Sequence, residues 1–277
     1  MNRHYQQSYK VRYDECNLFG FMTPVAAFRY FQDIAALDAA QVEVAEEGNW
    51  IARRTVIDFN RQVAAHQDIE IDTAQVGCTK VTAQRGYEIS LPGAAGPDPA
   101  VVARTLWVFV NLRGRPTRLP GAYFTFWVPE GIGAPHEEEP WPVFPARAPF
   151  LTAIPVRFSD LDVMGHMNNT SYVELLDNAA WEAFAQLDLR PDNLACYPVP
   201  LHYDIEYLES AKAGDRLEVK SWFEPLANVP DGFERFQLVT RNGTTLLRSR
   251  SRWRWEPNPY APENAPRPDM ARLFNFE

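Results

Sequence analysis

The chain has 277 residues, 46% hydrophobic and 13% aromatic, with 27 Lys and Arg against 36 Asp and Glu for a formal net charge of −9. That acidic balance argues against nonspecific nucleic-acid binding, which needs a basic face toward phosphate. No stretch reaches the roughly 20 apolar residues of a membrane span, and residues 1–8 hold no apolar run, so neither a secretory signal nor a membrane anchor is expected. Three cysteines, Cys16, Cys78 and Cys196, are odd in number and far apart, which predicts no disulfide framework, no zinc site and a reducing, cytoplasmic home. No pattern asks for a cofactor or another metal.

In chain order, a short strand at residues 9–13 enters an irregular loop and then a helix over 25–46, opened by Thr23 as N-cap and Pro24 in the first turn. Ala26, Tyr30, Ile34 and Leu37 recur at helical spacing and mark a buried stripe. Alternating segments at 55–59, 69–76, 84–91 and 101–112 read as half-buried antiparallel strands. Residues 129–149 are too rich in Pro and Gly for helix or central strand and read as an extended linker, with Trp141 and Phe144 pinning it to a domain surface.

The same order then recurs. A strand at 154–158 leads through a loop to a helix over 170–187, opened by Asn168-Asn169, with Tyr172, Leu176, Ala179, Ala180 and Ala183 as its buried stripe. Strands follow at 201–208, 216–223, 233–240 and 245–255, then a second proline-rich run at 257–268 and a short docking helix at 270–276. The predicted organisation is a first unit at 1–128, a linker at 129–150, a second unit at 151–256 and a tail at 257–277. Each unit is expected to be one long helix wrapped by an antiparallel sheet of about five strands, an α+β architecture.

The halves are copies of one unit. At an offset of 145, Val11-Arg12-Tyr13 falls on Val156-Arg157-Phe158, Asn17 on Asp162, Gly20 on Gly165, Phe21 on His166 and Met22 on Met167. At an offset of 146, Ala103 to Trp107 falls on Ser249 to Trp253, and Asp58 to Val63 on Asp204 to Glu209. The differences concentrate on residues able to do chemistry: Asp162, His166 and Glu209 in the second half stand against Asn17, Phe21 and Val63 in the first.

Strand, loop, helix and antiparallel sheet, with the loop reading Asp-x-Asp-x-x-Gly-His-x-Asn-Asn, resembles the hotdog fold of thioesterases. Two such units in one chain, a double hotdog with the chemistry in the second, resembles the acyl-acyl carrier protein thioesterases of bacteria and plants. Asn49-Trp-Ile51, Leu106 to Leu112 and Arg115 to Pro120 support the likeness in the first half, and it spans almost all of residues 5–256. The resemblance implies release of a free fatty acid from acyl carrier protein, an acidic partner, by a monomer or homodimer.

Thioester hydrolysis needs an activated water and donors where the carbonyl oxygen becomes negative. Asp162 lies just before the helix, beside a carbonyl held at its N-terminus, and backbone amides around Gly165 to Asn169 offer an oxyanion site aided by the helix dipole. Gly165 admits close backbone approach, His166 can orient water or hydrogen-bond the carbonyl, and Asn168 and Asn169 fix the loop and cap the helix. Gly165, Met164, Asn168 and Asn169 make up the expected substrate-binding set. The plainer alternative is a capped turn with a solvated Asp, and the first-half substitutions weigh against it.

In residues 203–209, Tyr203, Ile205 and Tyr207 look inward, and alternation puts Glu209 on the same face. The resemblance implies that a strand-end Glu helps position the water; the alternative is a strand that twists out and leaves Glu209 solvated. Two departures stand out. Plant members carry Asn where this chain has Met164, and Ser210 stands where some carry Cys, so no Cys nucleophile is available there; Cys16 and Cys196 read as buried small residues.

Arg248, Arg250, Arg252 and Arg254 share one strand face, and either part of this stripe or Arg113, Arg115 and Arg118 offers a docking surface to an acidic carrier protein. The alternative for the stripe is the solvated face of an edge strand. Phe28 to Phe31 on the first helix read either as core or as lining of an acyl channel. Rival functions are an acyl-CoA thioesterase and a noncatalytic acyl-binding hotdog protein. A hotdog hydratase is disfavoured, because its motif spaces Asp and His five apart around Asn-Pro, whereas Asp162 and His166 are four apart with no Pro.

Overall fold

The computed structural model describes residues 1–42, 48–93, 98–189 and 194–275, and the chain divides into two units, Met1–Trp141 and Pro142–Glu277. The first contains β1 (His4–Lys10), α1 (Pro24–Ala39), β2 (Gly48–Phe59), β3 (Asp68–Cys78), β4 (Thr82–Ser90), β5 (Val101–Asn111) and α2 (Gly121–Phe126). Its strands pair antiparallel in the order β1-β3-β4-β5-β2, with α1 against β1 and β3. The second contains β6 (Phe150–Pro155), α3 (Asn169–Gln186), β7 (Cys196–Tyr207), β8 (Arg216–Pro225), β9 (Gly232–Arg241), β10 (Thr244–Pro257) and α4 (Met270–Phe274). Here the order is β6-β8-β9-β10-β7, with α3 against β6 and β8, so the two units share one topology.

Each unit is thus a long helix against a five-stranded antiparallel sheet, the α+β architecture expected. The boundary between units falls inside the proline-rich segment. Its first part lies along the sheet of the first unit: Cys78 N–H donates to Gly133 O at 2.9 Å, Arg104 forms an ion pair with Glu138 at 2.9 Å, and Arg54 stacks over Trp141. Phe144 packs instead on Trp222 and Phe236 of the second unit. The tail is docked through Asn258 N–H to Ala195 O at 2.8 Å and through the buried Leu273 of α4, which contacts β8. Residue 276 of the expected docking helix lies outside the described residues. No helix among the described residues is long and apolar enough to cross a membrane.

Several expectations need correction. The opening strands stop at Lys10 and Pro155, and Tyr13 and Phe158 sit exposed in single 3-10 turns. Each turn is closed by a buried acid, Glu15 accepting from Arg12 N–H at 2.8 Å and Asp160 from Arg157 N–H at 2.7 Å, which bends the chain off the sheet edge. Helix α1 ends at Ala39; residues 43–46 of the expected helix lie outside the described residues. Strand β10 is not an edge strand, because β7 and β9 flank it. Helix α2 was not anticipated. Its Tyr123 joins Leu119, Trp127, Val128, Ala83 and Phe109 in a small satellite core, so tertiary packing sustains a helix too short to stand alone.

The stripe of α3 is buried as expected. In α1, Leu37 is 39% exposed, and the buried position one turn after Ile34 is Asp38. A carboxylate is tolerated there because Arg3 donates to it at 2.6 Å, Arg85 at 2.8 Å and the Trp127 indole at 2.7 Å, joining the residue before β1, strand β4 and the end of α2 to the helix. Burial alone would raise the Asp38 pKa, but the Arg3 hydrogen bond and the Arg85 charge outweigh it and hold the carboxyl below its usual range.

A depressed folded-state pKa contributes stability that is complete above the unfolded carboxylate value of about 4 and is lost as pH falls through the folded value. Asp38→Asn should therefore destabilise the protein by about 3–5 kcal/mol at neutral pH, since Arg85 stays buried without its countercharge. In urea unfolding the gap from wild type should narrow on acidification below pH 4; a gap independent of pH would show that the charge of Asp38 contributes nothing.

Candidate active site

The second unit enters α3 through a turn built on one side-chain oxygen. Asp162 Oδ1 accepts from Met164 N–H at 2.9 Å and His166 N–H at 3.2 Å. Asp162 N–H donates to His166 O at 2.8 Å, and Gly165 N–H to Asp162 O at 3.0 Å. Gly165 sits at φ 75°, while a Cβ at this position would meet nothing within 4 Å, so within the protein the glycine serves the left-handed backbone rather than a close approach. Asn168 then caps the helix, its Oδ1 accepting from Thr170 N–H and Oγ1, both at 2.9 Å. Val163 and Met164 are exposed at the tip, and Asp162 and His166 are half-buried.

The chain leaving β7 runs beside this turn. Met167 N–H donates to Ala211 O at 2.8 Å, His166 bridges to Lys212, and Ala211 N–H donates to the Tyr172 hydroxyl at 2.9 Å. Burial raises the Tyr172 pKa to about 12 and also raises that of Tyr207, whose hydroxyl donates to Asn169 O at 3.4 Å. Both phenols are therefore neutral braces of the helix entry. The repeat alignment could have pointed to them, because Ala27 occupies the place of Tyr172 in the first half.

The expected set of free amides is smaller than predicted. Gly165, His166, Met167 and Asn168 donate to Asp162 O, Asp162 Oδ1, Ala211 O and Asp160 O respectively. Only Asn169 N–H, at the first helical position, has no acceptor among the described residues within 165–169. Likewise Asp162 Oδ2 and the His166 ring have no protein partner among the described residues.

The first unit builds the same turn without these groups. Asn17 Oδ1 accepts from Phe19 and Phe21 N–H at 3.0 and 3.1 Å, Gly20 lies at φ 83°, and Thr23 caps α1. The matching pairs are Asn17 with Asp162, Phe21 with His166, and Pro24 with Asn169. Proline has no N–H, so the donor left free in the second unit does not exist in the first.

Glu209 requires two corrections. Strand β7 ends at Tyr207, and Leu208 and Glu209 both donate their N–H to Leu246 O, at 2.8 and 3.1 Å, which breaks the alternation. The Glu209 side chain is consequently 53% exposed, at 3.6 Å from Arg241, rather than inward with Tyr203, Ile205 and Tyr207. Arg241 also binds Asp215 at 2.6 Å, a hydrogen bond that lowers the Asp215 pKa. Nor is Val63 its counterpart. Asn60 and Arg61 share Ala100 O as Leu208 and Glu209 share Leu246 O, and Met22 N–H meets Val63 O as Met167 N–H meets Ala211 O. Arg61 therefore matches Glu209, and buried Val63 matches buried Ala211.

Cys196 is buried as expected, but Cys16 is only half-buried. Burial raises the pKa of both thiols. The aromatic face of α1 belongs to the core: Phe28, Tyr30 and Phe31 are buried.

Residues 2–120 match the family model of the acyl-ACP thioesterase N-terminal domain (ACP, acyl carrier protein), and residues 156–245 match that of the thioesterase-like superfamily. The chain is thus similar to acyl-ACP thioesterases in its first half and to the wider thioesterase-like superfamily in its second. An uncharacterised protein of Mycobacterium tuberculosis is 25% identical to this thioesterase over 195 residues, 69% of this chain and 72% of its own. Among solved structures, an oleoyl thioesterase from Lactobacillus plantarum superposes with a TM-score of 0.79 at 16% identity, covering 92% of this chain and 98% of its own. The 12:0-ACP thioesterase from Umbellularia californica gives 0.75 at 15% identity, with 91% and 94% covered. An acyl-ACP thioesterase from Bacteroides thetaiotaomicron gives 0.67 at 17%, with 90% and 97% covered. These likenesses show the hotdog fold, and the two family models support thioester hydrolysis as the reaction class.

In this thioesterase, the turn needs an oxygen at position 162 and not a charge. Asp162→Asn should leave thermal unfolding close to wild type, as Asn17 does the same work in the first unit, whereas Asp162→Ala should lose about 1–2 kcal/mol with two acceptor contacts gone. Equal melting of the two variants would mean that the turn does not rest on that oxygen.

Proposed function

We propose that the second unit hydrolyses fatty acyl thioesters carried on ACP, at a site formed by Asp162, His166, the Asn169 amide and Glu209. The observation that carries this reading is the pairing, at one helix entry, of an unpartnered carboxylate oxygen with an unpartnered amide, where the first unit has Asn17 and Pro24. The substrate carbonyl oxygen takes the Asn169 N–H, aided by the α3 dipole, as negative charge develops on it. Asp162 Oδ2 accepts a proton from water while the water oxygen bonds to the carbonyl carbon. Collapse of the tetrahedral adduct breaks the carbon–sulfur bond, and the departing thiolate recovers the proton from Asp162. His166 orients the water, and Glu209, held beside Arg241, helps to position it.

The carrier-protein assignment draws on the match of the first unit to the acyl-ACP thioesterase N-terminal model. That unit also holds a cavity of about 230 Å³ with Ala35, Ala36, Ala39, Trp50, Trp107 and Trp127 in its wall. The free thiols suit the reducing cytoplasm in which such substrates are made.

Two substitutions test the chemistry. Asp162→Asn should cut turnover by about 10²-fold or more, the scale for loss of a general base. Asn169→Pro should cut it by about 10²–10³-fold through loss of an oxyanion donor. The fold should accept proline there, since Pro24 occupies the matching place and Asn168, at φ −62° and ψ 142°, already has the extended backbone that precedes proline. Near-normal rates in either folded variant would remove that group from the mechanism. With matched acyl chains, kcat/KM on acyl-ACP should exceed that on acyl-CoA; a preference for CoA would sink the carrier-protein assignment.

A further inference from the structure

Two arginine-rich stretches stand out in this acidic chain, and their surroundings differ. On β10 every arginine has an acidic partner: Arg248 pairs with Glu206, Arg250 and Arg252 with Glu234 at 3.5 and 3.0 Å, and Arg254 with Glu256. Arg250 is buried as well. Engaging an outside anion there would require breaking existing ion pairs.

The loop after β5 is different. Arg113, Arg115 and Arg118 are exposed, and none has a carboxylate partner among the described residues. Lys80 is likewise exposed and unpaired, and its carbonyl accepts Leu119 N–H at 2.9 Å, which ties it to the base of the loop. Leu112, 80% exposed, adds an apolar contact among the cations.

This loop is rigidly built. Asn111 Oδ1 accepts from Arg113 and Arg115 N–H at 2.9 and 3.1 Å, Gly114 lies at φ 73°, and Asn111 N–H returns to Arg115 O at 2.9 Å. It is the turn of Asn17 and Asp162 used a third time, now to project guanidinium groups. The matching place after β10, residues 257–264, carries no Lys or Arg. Three arginines on a preorganised loop, with Lys80 at its base and no carboxylate partner for any of the four among the described residues, therefore set the first unit apart.

We propose that Arg113, Arg115, Arg118 and Lys80 form the surface on which the acidic carrier protein docks, an inference that rests on the carrier-protein reading above. Unpaired, exposed cations steer an acidic partner and pair with its carboxylates without giving up internal partners. A fixed turn lowers the ordering cost of binding. So small a patch suits the brief encounter that a carrier releasing its product requires.

The test compares wild type with an Arg113→Glu/Arg115→Glu/Arg118→Glu variant on acyl-ACP and on a small acyl-N-acetylcysteamine thioester with the same acyl chain. We expect kcat/KM on acyl-ACP to fall about 10-fold or more, mainly through KM, with the small thioester unaffected. The wild-type rate on acyl-ACP should decline with added salt, and the variant's should be nearly flat. Lys80→Glu alone should move both readouts the same way by a smaller factor, and it serves should the triple variant not fold. An unchanged acyl-ACP rate, or an equal fall on both substrates, would overturn the proposal. Wild-type binding to anionic phosphatidylglycerol vesicles that the variant loses, with acyl-ACP rates unchanged, would assign the loop to a lipid surface instead. Failure of the carrier-protein reading itself is visible separately, in wild type, as hydrolysis of acyl-CoA at least as fast as acyl-ACP.

Discussion

A side-chain oxygen that accepts the amides two and four residues ahead, with glycine between them at positive φ, is the constraint on which the helix entries depend. It closes a five-residue turn without help from the sheet and aims the next residues into the helix cap. At Asn17 and at Asp162 the turn also brings the following Met22 or Met167 amide to the chain leaving β2 or β7. An amide oxygen and a carboxylate oxygen perform this task equally well. The second oxygen of Asp162, without a partner among the described residues, is then surplus to the turn, so the proposed reactive group could be added to a duplicated unit without rebuilding it.

The same economy applies at the helix start. Most amides of an entry loop are consumed in making the loop, and a site assembled from them must use what remains. Within residues 165–169 of the second unit that remainder, among the described residues, is Asn169 N–H, and in the first Pro24 removes it. Buried polar groups follow a parallel logic in the sheets. Arg85 and Arg235 occupy corresponding positions, opposite Thr105 and Ser251, and each reaches an acid on its own helix, Asp38 or Asp177. Different helix positions supply the acid, so the sheet arginine is common to both units while the rest of each network differs.

Much of this was legible in the sequence because it is local. The turn residues, the caps Thr23 and Asn168, and the alternation of the strands depend on neighbours within a few positions, and the duplication lets each half be read against the other. Leu37 and Glu209 were misplaced because helical and strand periodicities were extended past the point where they hold. A bulge at Leu208 ended the alternation, and a ring of donors made Asp38 a better core residue than the leucine before it. The pairing of Glu209 with Val63 failed for a related reason. The sequence offset near the end of β2 and β7 differs from that at the turn, and only the shared carbonyls of Ala100 and Leu246 reveal the register.

By itself the sequence determined two like units, their helix starts, most strands, and the replacement of Asp162 and His166 by Asn17 and Phe21. These rest on φ preference, capping and periodicity, which are properties of short stretches of chain. Only the tertiary structure decided which amides find no acceptor among the described residues, that Glu209 faces solvent beside Arg241, that β10 is an interior strand with paired arginines, and that the arginines after β5 have no carboxylate partner among the described residues. Each of those is set by a partner distant in sequence, and no local pattern encodes whether a donor, a carboxylate or a guanidinium will find one.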